Sequence, residues 1–219
     1  MTIVYILFGF TIAIVISFLI RFKTISDNIL FFSFFFTLFL YEGLLIATNY
    51  MKIPNHTIAN INTLIYYPLT ILVLFKIWES VKGKTKKLPI FKYSIICLIA
   101  IGWFFENFIL NDIFFYNSIL PCIISLTLVI ISIYLINMLI FNRHKNILKD
   151  SDGLILMGIL IRSFSLGLLM LFVNYRMKFS NGFYINILIL ANITLIISNI
   201  FFIIAIICLP KKRKYTWPF

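Results

Sequence analysis

The chain has 219 residues, 62% of them hydrophobic and only 12% charged, with 25 phenylalanines and a formal net charge of +12. A soluble domain carries about 25% charged residues and roughly half apolar ones, so a soluble enzyme, a disordered chain and a disulfide scaffold are all excluded. A polytopic membrane protein is left, and at about 20 residues per span the length fits seven or eight helices.

The apolar runs are too long and too continuous for the alternating strands of a membrane barrel, so the expected fold is all-α. In chain order the spans fall at about 3–20, 29–48, 57–78, 91–110, 114–141, 153–173 and 183–209. Together they form one transmembrane domain over residues 1–219, with no soluble domain. The first run has its positive residues, Arg21 and Lys23, after it rather than before it. That is the reverse of a cleavable signal peptide, so a retained first helix is expected.

Basic residues give the orientation. Fifteen of the 19 lie on one side of the spans, including Lys76, Lys82, Lys84, Lys86, Lys87, Lys145 and the run Lys211, Lys212, Arg213, Lys214. Lys52, Arg176 and Lys178 lie on the other side, and Arg162 falls inside a span. Positive-inside topology then puts the N-terminus outside and the C-terminus in the cytoplasm, which requires an odd number of helices. The same rule accounts for the net charge, and loops this short offer no basic surface for nucleic acid. The inner lysines suit anionic lipid head groups, at about 1 kcal/mol each. The excess of Phe, Ile, Asn and Lys resembles a bacterial genome of low GC content, and hence a multi-pass protein of the plasma (inner) membrane.

Ionisable groups at membrane depth are costly and usually face the bundle interior. Three stand out: Glu42, Glu106 and Arg162. Glu42 lies about six residues from the outer end of its helix, roughly 9 Å down at ~1.5 Å per residue. Glu106 is shallower, whereas Arg162 is near the midplane. Neutral polar residues crowd the same half: Asn60, Asn62, Tyr66 and Tyr67 on the third span, Trp103 and Asn107 beside Glu106, Asn117 and Ser118 opening the fifth span, and Asn192 and Asn199 on the seventh. Pro68 and Pro121 are expected to free backbone carbonyls toward a cavity. The expected ligand pocket therefore comprises Glu42, Asn62, Tyr66, Tyr67, Trp103, Glu106, Asn107, Arg162, Asn192 and Asn199, with Trp103 as a stacking wall. Equally, such groups serve as interhelical hydrogen bonds worth about 0.6 kcal/mol apiece.

His56 and His144 lie in connections on opposite sides, so no histidine metal site and no cofactor is expected. Cys97, Cys122 and Cys208 have no paired spacing and are expected to pack in apolar surroundings. The seventh span has no lysine, which excludes a retinal Schiff base.

Glu42, the short polar turn that follows it, and Asn62-x-x-x-Tyr66-Tyr67-Pro68 resemble a family of small, uncharacterised bacterial seven-helix membrane proteins. That family has Tyr-Thr-Pro followed by an acidic residue, where this chain has Leu69 and Thr70. A second, architectural likeness is to the small seven-helix membrane terpene cyclases, which would imply Glu42 or Glu106 as general acid. Three functions follow. The protein binds, senses or transports a small amphipathic or anionic ligand from outside, with Arg162 as counter-charge. It is an accessory or effector subunit for a cytoplasmic partner reached through 81–89 and 142–152. Or it is a membrane-embedded enzyme.

Overall fold

The computed structural model of the chain describes residues 2–25, 29–51, 55–83, 88–111, 113, 117–143, 147–174 and 180–209. Seven helices make up the architecture: α1 (Thr2–Ile25), α2 (Ile29–Met51), α3 (His56–Lys82), α4 (Leu88–Phe104), α5 (Ile119–Arg143), α6 (Ser151–Asn174) and α7 (Asn181–Cys208). There is no strand among the described residues. A π-helical turn, Phe105–Leu110, extends α4, and a short 3₁₀ turn, Ile147–Lys149, precedes α6. Ile and Phe are mediocre helix formers in water. Where no water competes for the backbone, a helix satisfies every N–H and C=O locally whatever its side chains, and propensity loses its vote.

Six stretches are long and apolar enough to cross a membrane: Ile29–Thr48, His56–Lys82, Leu88–Leu110, Ile119–Asn142, Ser151–Phe172 and Ile185–Cys208. The described apolar run of α1, Tyr5–Ile20, is shorter. Most boundaries lie within a few residues of those expected, but α5 begins at Ile119 rather than 114. Asn117 and Ser118 therefore precede it, and Pro121 sits in its first turn, where a missing N–H costs nothing. Pro68 lies in the interior of a helix, α3. Gly83 ends α3 at φ 83°, a left-handed position suited to glycine, with its N–H on the Glu79 carbonyl at 3.0 Å. Ser180 caps α7 by accepting from the Phe183 N–H at 3.3 Å.

Helix α1 packs on α2 and α7, α2 on α3, α3 on α5, α5 on α6, and α6 on α7. That order closes a ring of six helices and leaves α4 outside it, packed mainly on α3. Only 11% of α4's span is buried, against 50% for α3 and 56% for α6. Large apolar side chains such as Leu98, Ile101, Ile130, Phe141 and Ile207 face outward. A contiguous apolar exterior of this kind belongs in hydrocarbon.

The ring has two unlike halves. Toward the end carrying the α1–α2, α3–α4 and α5–α6 connections, its centre is filled by Phe18, Phe34, Phe35 and Phe202, all buried. Phe202 meets Phe34 and Phe35 edge-on, with ring centroids 5.7 and 5.3 Å apart. Gly158 makes room for Phe202: a methyl group there would lie 2.7 Å from its Cδ1. The opposite half is polar and hollow.

Several sequence expectations fall outside the described residues: Lys52, Lys84, Lys86, Lys87, His144, Lys145, Arg176, Lys178 and the tail from 210. The candidate partner loops 81–89 and 142–152 are described only in part. Cysteine placement differs from expectation. Cys122 is buried, its thiol directed at the Gly167 carbonyl at 3.8 Å, while Cys97 and Cys208 are exposed on outer helix faces.

Candidate functional site

A cavity of about 200 Å³ occupies the polar half of the ring. Every ring helix contributes to it: Leu7 of α1, Tyr41, Glu42 and Leu45 of α2, Asn60, Asn62, Thr63, Tyr66 and Tyr67 of α3, Pro121 of α5, Arg162, Leu166, Leu169 and Met170 of α6, and Asn192 and Leu195 of α7. Asn117, just ahead of α5, lines it too, and α4 contributes nothing. Polarity is sorted around the wall. Helix α3 supplies amides and hydroxyls, whereas α1, α6 and α7 supply mostly leucine and methionine.

At the base of the cavity Arg162 reaches Glu42, Nη2 to Oε1, at 3.4 Å, and both are buried. The remaining contacts divide between them. Arg162 Nη1 donates to Asn199 Oδ1 at 3.3 Å, and its guanidinium carbon lies 5.7 Å from the Tyr66 ring centroid. Glu42 Oε2 accepts from Thr11 of α1 at 3.1 Å. The pair thus ties α1, α2, α6 and α7 together at one point. Its contacts are long for charge-assisted bonds, which run nearer 2.7–2.9 Å. A guanidinium carries five N–H donors in a fixed fork, and most of this fork is unused. Among the described residues Arg162 Nε has no hydrogen-bond partner, nor has the Tyr66 hydroxyl or Asn199 Nδ2, although all are buried.

Tyr66 and Tyr67 are neighbours with different tasks. Tyr66 stacks on Phe34 at 5.8 Å and lies beneath the guanidinium, whereas Tyr67 turns to α5. The Tyr67 hydroxyl donates to the Pro121 carbonyl at 3.2 Å and pairs with Ser125 Oγ at 2.8 Å. On α7, Asn192 turns its amide back to the Leu188 carbonyl at 2.8 Å.

Of the ten residues expected to form the pocket, Glu42, Asn62, Tyr66, Tyr67, Arg162 and Asn192 line the cavity, and Asn199 braces Arg162 from below. Trp103, Glu106 and Asn107 do not line it. They build the connection from α4 to α5. In the π-helical turn the Asn111 N–H bonds back to the Glu106 carbonyl at 3.1 Å. The wider winding turns Glu106 and Asn107 inward while Phe105 and Phe108 stay exposed. Glu106 Oε1 then accepts from the backbone N–H groups of Ile119 and Leu120, at 2.9 and 3.1 Å. These are orphan donors at the start of α5, and a carboxylate there satisfies both the hydrogen bonds and the helix dipole. Trp103 lies outside the cavity lining, and its Nε1 donates to the Asn60 carbonyl at 2.7 Å. Asn107 accepts from Asn117 Nδ2 at 2.8 Å, and Asn60 Nδ2 donates to the Ile113 carbonyl at 2.8 Å. This amide network holds the rim that Asn60 and Asn117 present to the cavity.

Tyr41, Thr11 and Met170 were not anticipated. Thr11 carried a usable signal, being the only hydroxyl between Tyr5 and Ser17 in an otherwise apolar helix. A second cleft, of about 310 Å³, lies between α3, α4 and α5 and is lined by residues such as Leu74, Trp78, Phe91 and Ile130. It carries no charged side chain. Among the described residues, no three of His, Cys, Asp or Glu stand close enough together to hold a metal ion. Compared with known protein families, with characterised proteins and with solved structures, the chain matches none.

Proposed function

We propose that this is a multi-pass plasma-membrane protein of seven spans, with its N-terminus outside, that takes a small amphipathic or anionic ligand into the ring cavity from the outer side. The distribution of basic residues supports the orientation. Helix α1, with 24 residues, supports the seventh span, since a helix of that length rises about 36 Å against a hydrocarbon core of about 30 Å. Under this topology the hollow half faces outward and the phenylalanine-filled half lies toward the cytoplasm.

One observation carries the ligand-binding reading. Arg162 Nε and the Tyr66 hydroxyl are buried, belong to residues that line the cavity, and have no hydrogen-bond partner among the described residues. Leaving such groups unsatisfied costs about 1–3 kcal/mol each, and more for a charged one. A bound acceptor recovers that cost. The experiment is thermal unfolding of the purified protein in nanodiscs against a panel of small organic anions and amphiphiles. A ligand at 100 times its Kd adds about 2.7 kcal/mol of stability. Tyr66→Phe is expected to weaken binding roughly tenfold while the fold survives, since only the unpaired hydroxyl is removed. If no compound shifts the wild type and Tyr66→Phe is more stable than the wild type, the cavity is a structural void and the proposal fails.

A further inference from the structure

The charge inventory of the cavity narrows its ligand further, on the premise that the cavity is a binding site. Among the described residues, Arg162 is the one cation lining it and Glu42 the one anion, and the two touch at 3.4 Å. Their charges cancel locally. A simple anion entering beside Arg162 meets the Glu42 carboxylate at almost the same distance, and like charges in a medium of low dielectric repel strongly. A simple cation meets the reverse conflict. Neither partner is saturated, however. Arg162 keeps Nε and part of its fork free. Glu42 has one bond on each oxygen, to Arg162 and to Thr11, where a carboxylate offers about four lone-pair sites.

We infer that the cavity is built for a compact zwitterion, an α-amino-acid-like molecule whose carboxylate meets the free edge of Arg162 and whose ammonium meets Glu42. Three further features fit that class. The protein's two charges are adjacent, so the ligand's two charges must also lie a few bonds apart. The unpaired Tyr66 hydroxyl gives the ligand's carboxylate a neutral donor beside the guanidinium. The leucine and methionine wall of α6, with Leu7, Leu45 and Leu195, accepts a short apolar side chain. Size sets the upper bound: about 200 Å³ is below the ~300–1,000 Å³ of pockets for drug-sized ligands.

The test is binding of 2-aminopentanoate, pentanoate and butylamine to the full chain in nanodiscs, measured by calorimetry at one pH and ionic strength. These probes share an apolar tail and differ in carrying both charges, the negative one alone or the positive one alone. The zwitterion is expected to bind at least tenfold tighter than either singly charged probe. In Glu42→Gln, which leaves a net positive site, pentanoate should gain and the preference for the zwitterion should fall to threefold or less. Should the variant fail to fold, the wild-type ranking decides. Pentanoate binding as tightly as 2-aminopentanoate overturns the zwitterion and leaves the ligand-binding reading standing. Binding of none of the three probes overturns this inference as well, while the wider panel of anions and amphiphiles decides separately whether the cavity binds anything.

Discussion

Gly158→Ala tests whether the phenylalanine-filled half of the ring is packed as tightly as its geometry requires. The added methyl would stand 2.7 Å from Phe202 Cδ1 and 3.0 Å from Cζ, where carbon contacts settle at about 3.5–4.0 Å. Phe202 has no free direction of retreat. It is fully buried, and the rings of Phe34 and Phe35 stand 5.7 and 5.3 Å away. The α7 backbone is held as well, because Ser198 Oγ donates to the Gly158 carbonyl at 2.8 Å. Overpacking of this kind costs about 1–3 kcal/mol. Helix propensity counts for little at this depth, so a net loss of about 1–3 kcal/mol is expected. Equilibrium unfolding in mixed micelles, followed by far-ultraviolet circular dichroism, reads it directly. Phe202→Leu in the Gly158→Ala background should recover part of the loss, with a coupling of at least about 0.5 kcal/mol in the double-mutant cycle. A Gly158→Ala protein as stable as the wild type, or strictly additive effects, would refute the argument.

Three other outcomes follow from the site. Glu106→Ala should cost about 1–2 kcal/mol by uncapping α5 yet leave ligand affinity within twofold; a large affinity loss would return Glu106 to the pocket. Arg162→Ala strands a buried carboxylate and should destabilise by about 3–5 kcal/mol, whereas the paired change Glu42→Gln with Arg162→Gln should cost much less, because it removes both charges together. Equal losses in the single and paired variants would show that the two charges do not act as a unit. In a background without native cysteines, Asn111→Cys should react with an impermeant maleimide in intact cells and Gly83→Cys only after permeabilisation. The opposite pattern would invert the orientation.

How far the sequence reaches depends on what each signal encodes. Glu42 and Arg162 were legible because charge at membrane depth is too costly to leave unaccompanied, and the structure joins them. Depth alone does not report which face of a helix a residue occupies. Glu106 therefore looked equivalent to Glu42, although it turns toward the α5 backbone and not the ring. What separates them is the π-helical turn, a change of winding without a sequence marker in so uniform an apolar run. The position of α4 was hidden for a related reason. In water a helix on the periphery shows a polar face, but in lipid the exposed face is as apolar as the buried one, so periodicity carries no contrast. Tyr41 lies in mid-helix in α2 beside Glu42, and nothing in so uniform an apolar run marks which face it occupies.

The ring closes only when α1 meets α7, and Glu42 and Arg162 are 120 residues apart. During synthesis α2 therefore enters the bilayer long before its counter-ion exists. Until α6 arrives, Glu42 has only local company, such as Thr11 on α1. Helix α4 lies between α3 and α5 in the chain and outside them in the bundle. Biogenesis of this protein thus passes through a partial bundle of five helices, α1 to α5, that carries an uncompensated carboxylate. Such a species is the natural client of the insertion and quality-control machinery, and a chain truncated before α6 should be recognised and degraded rather than retained as a stable fragment.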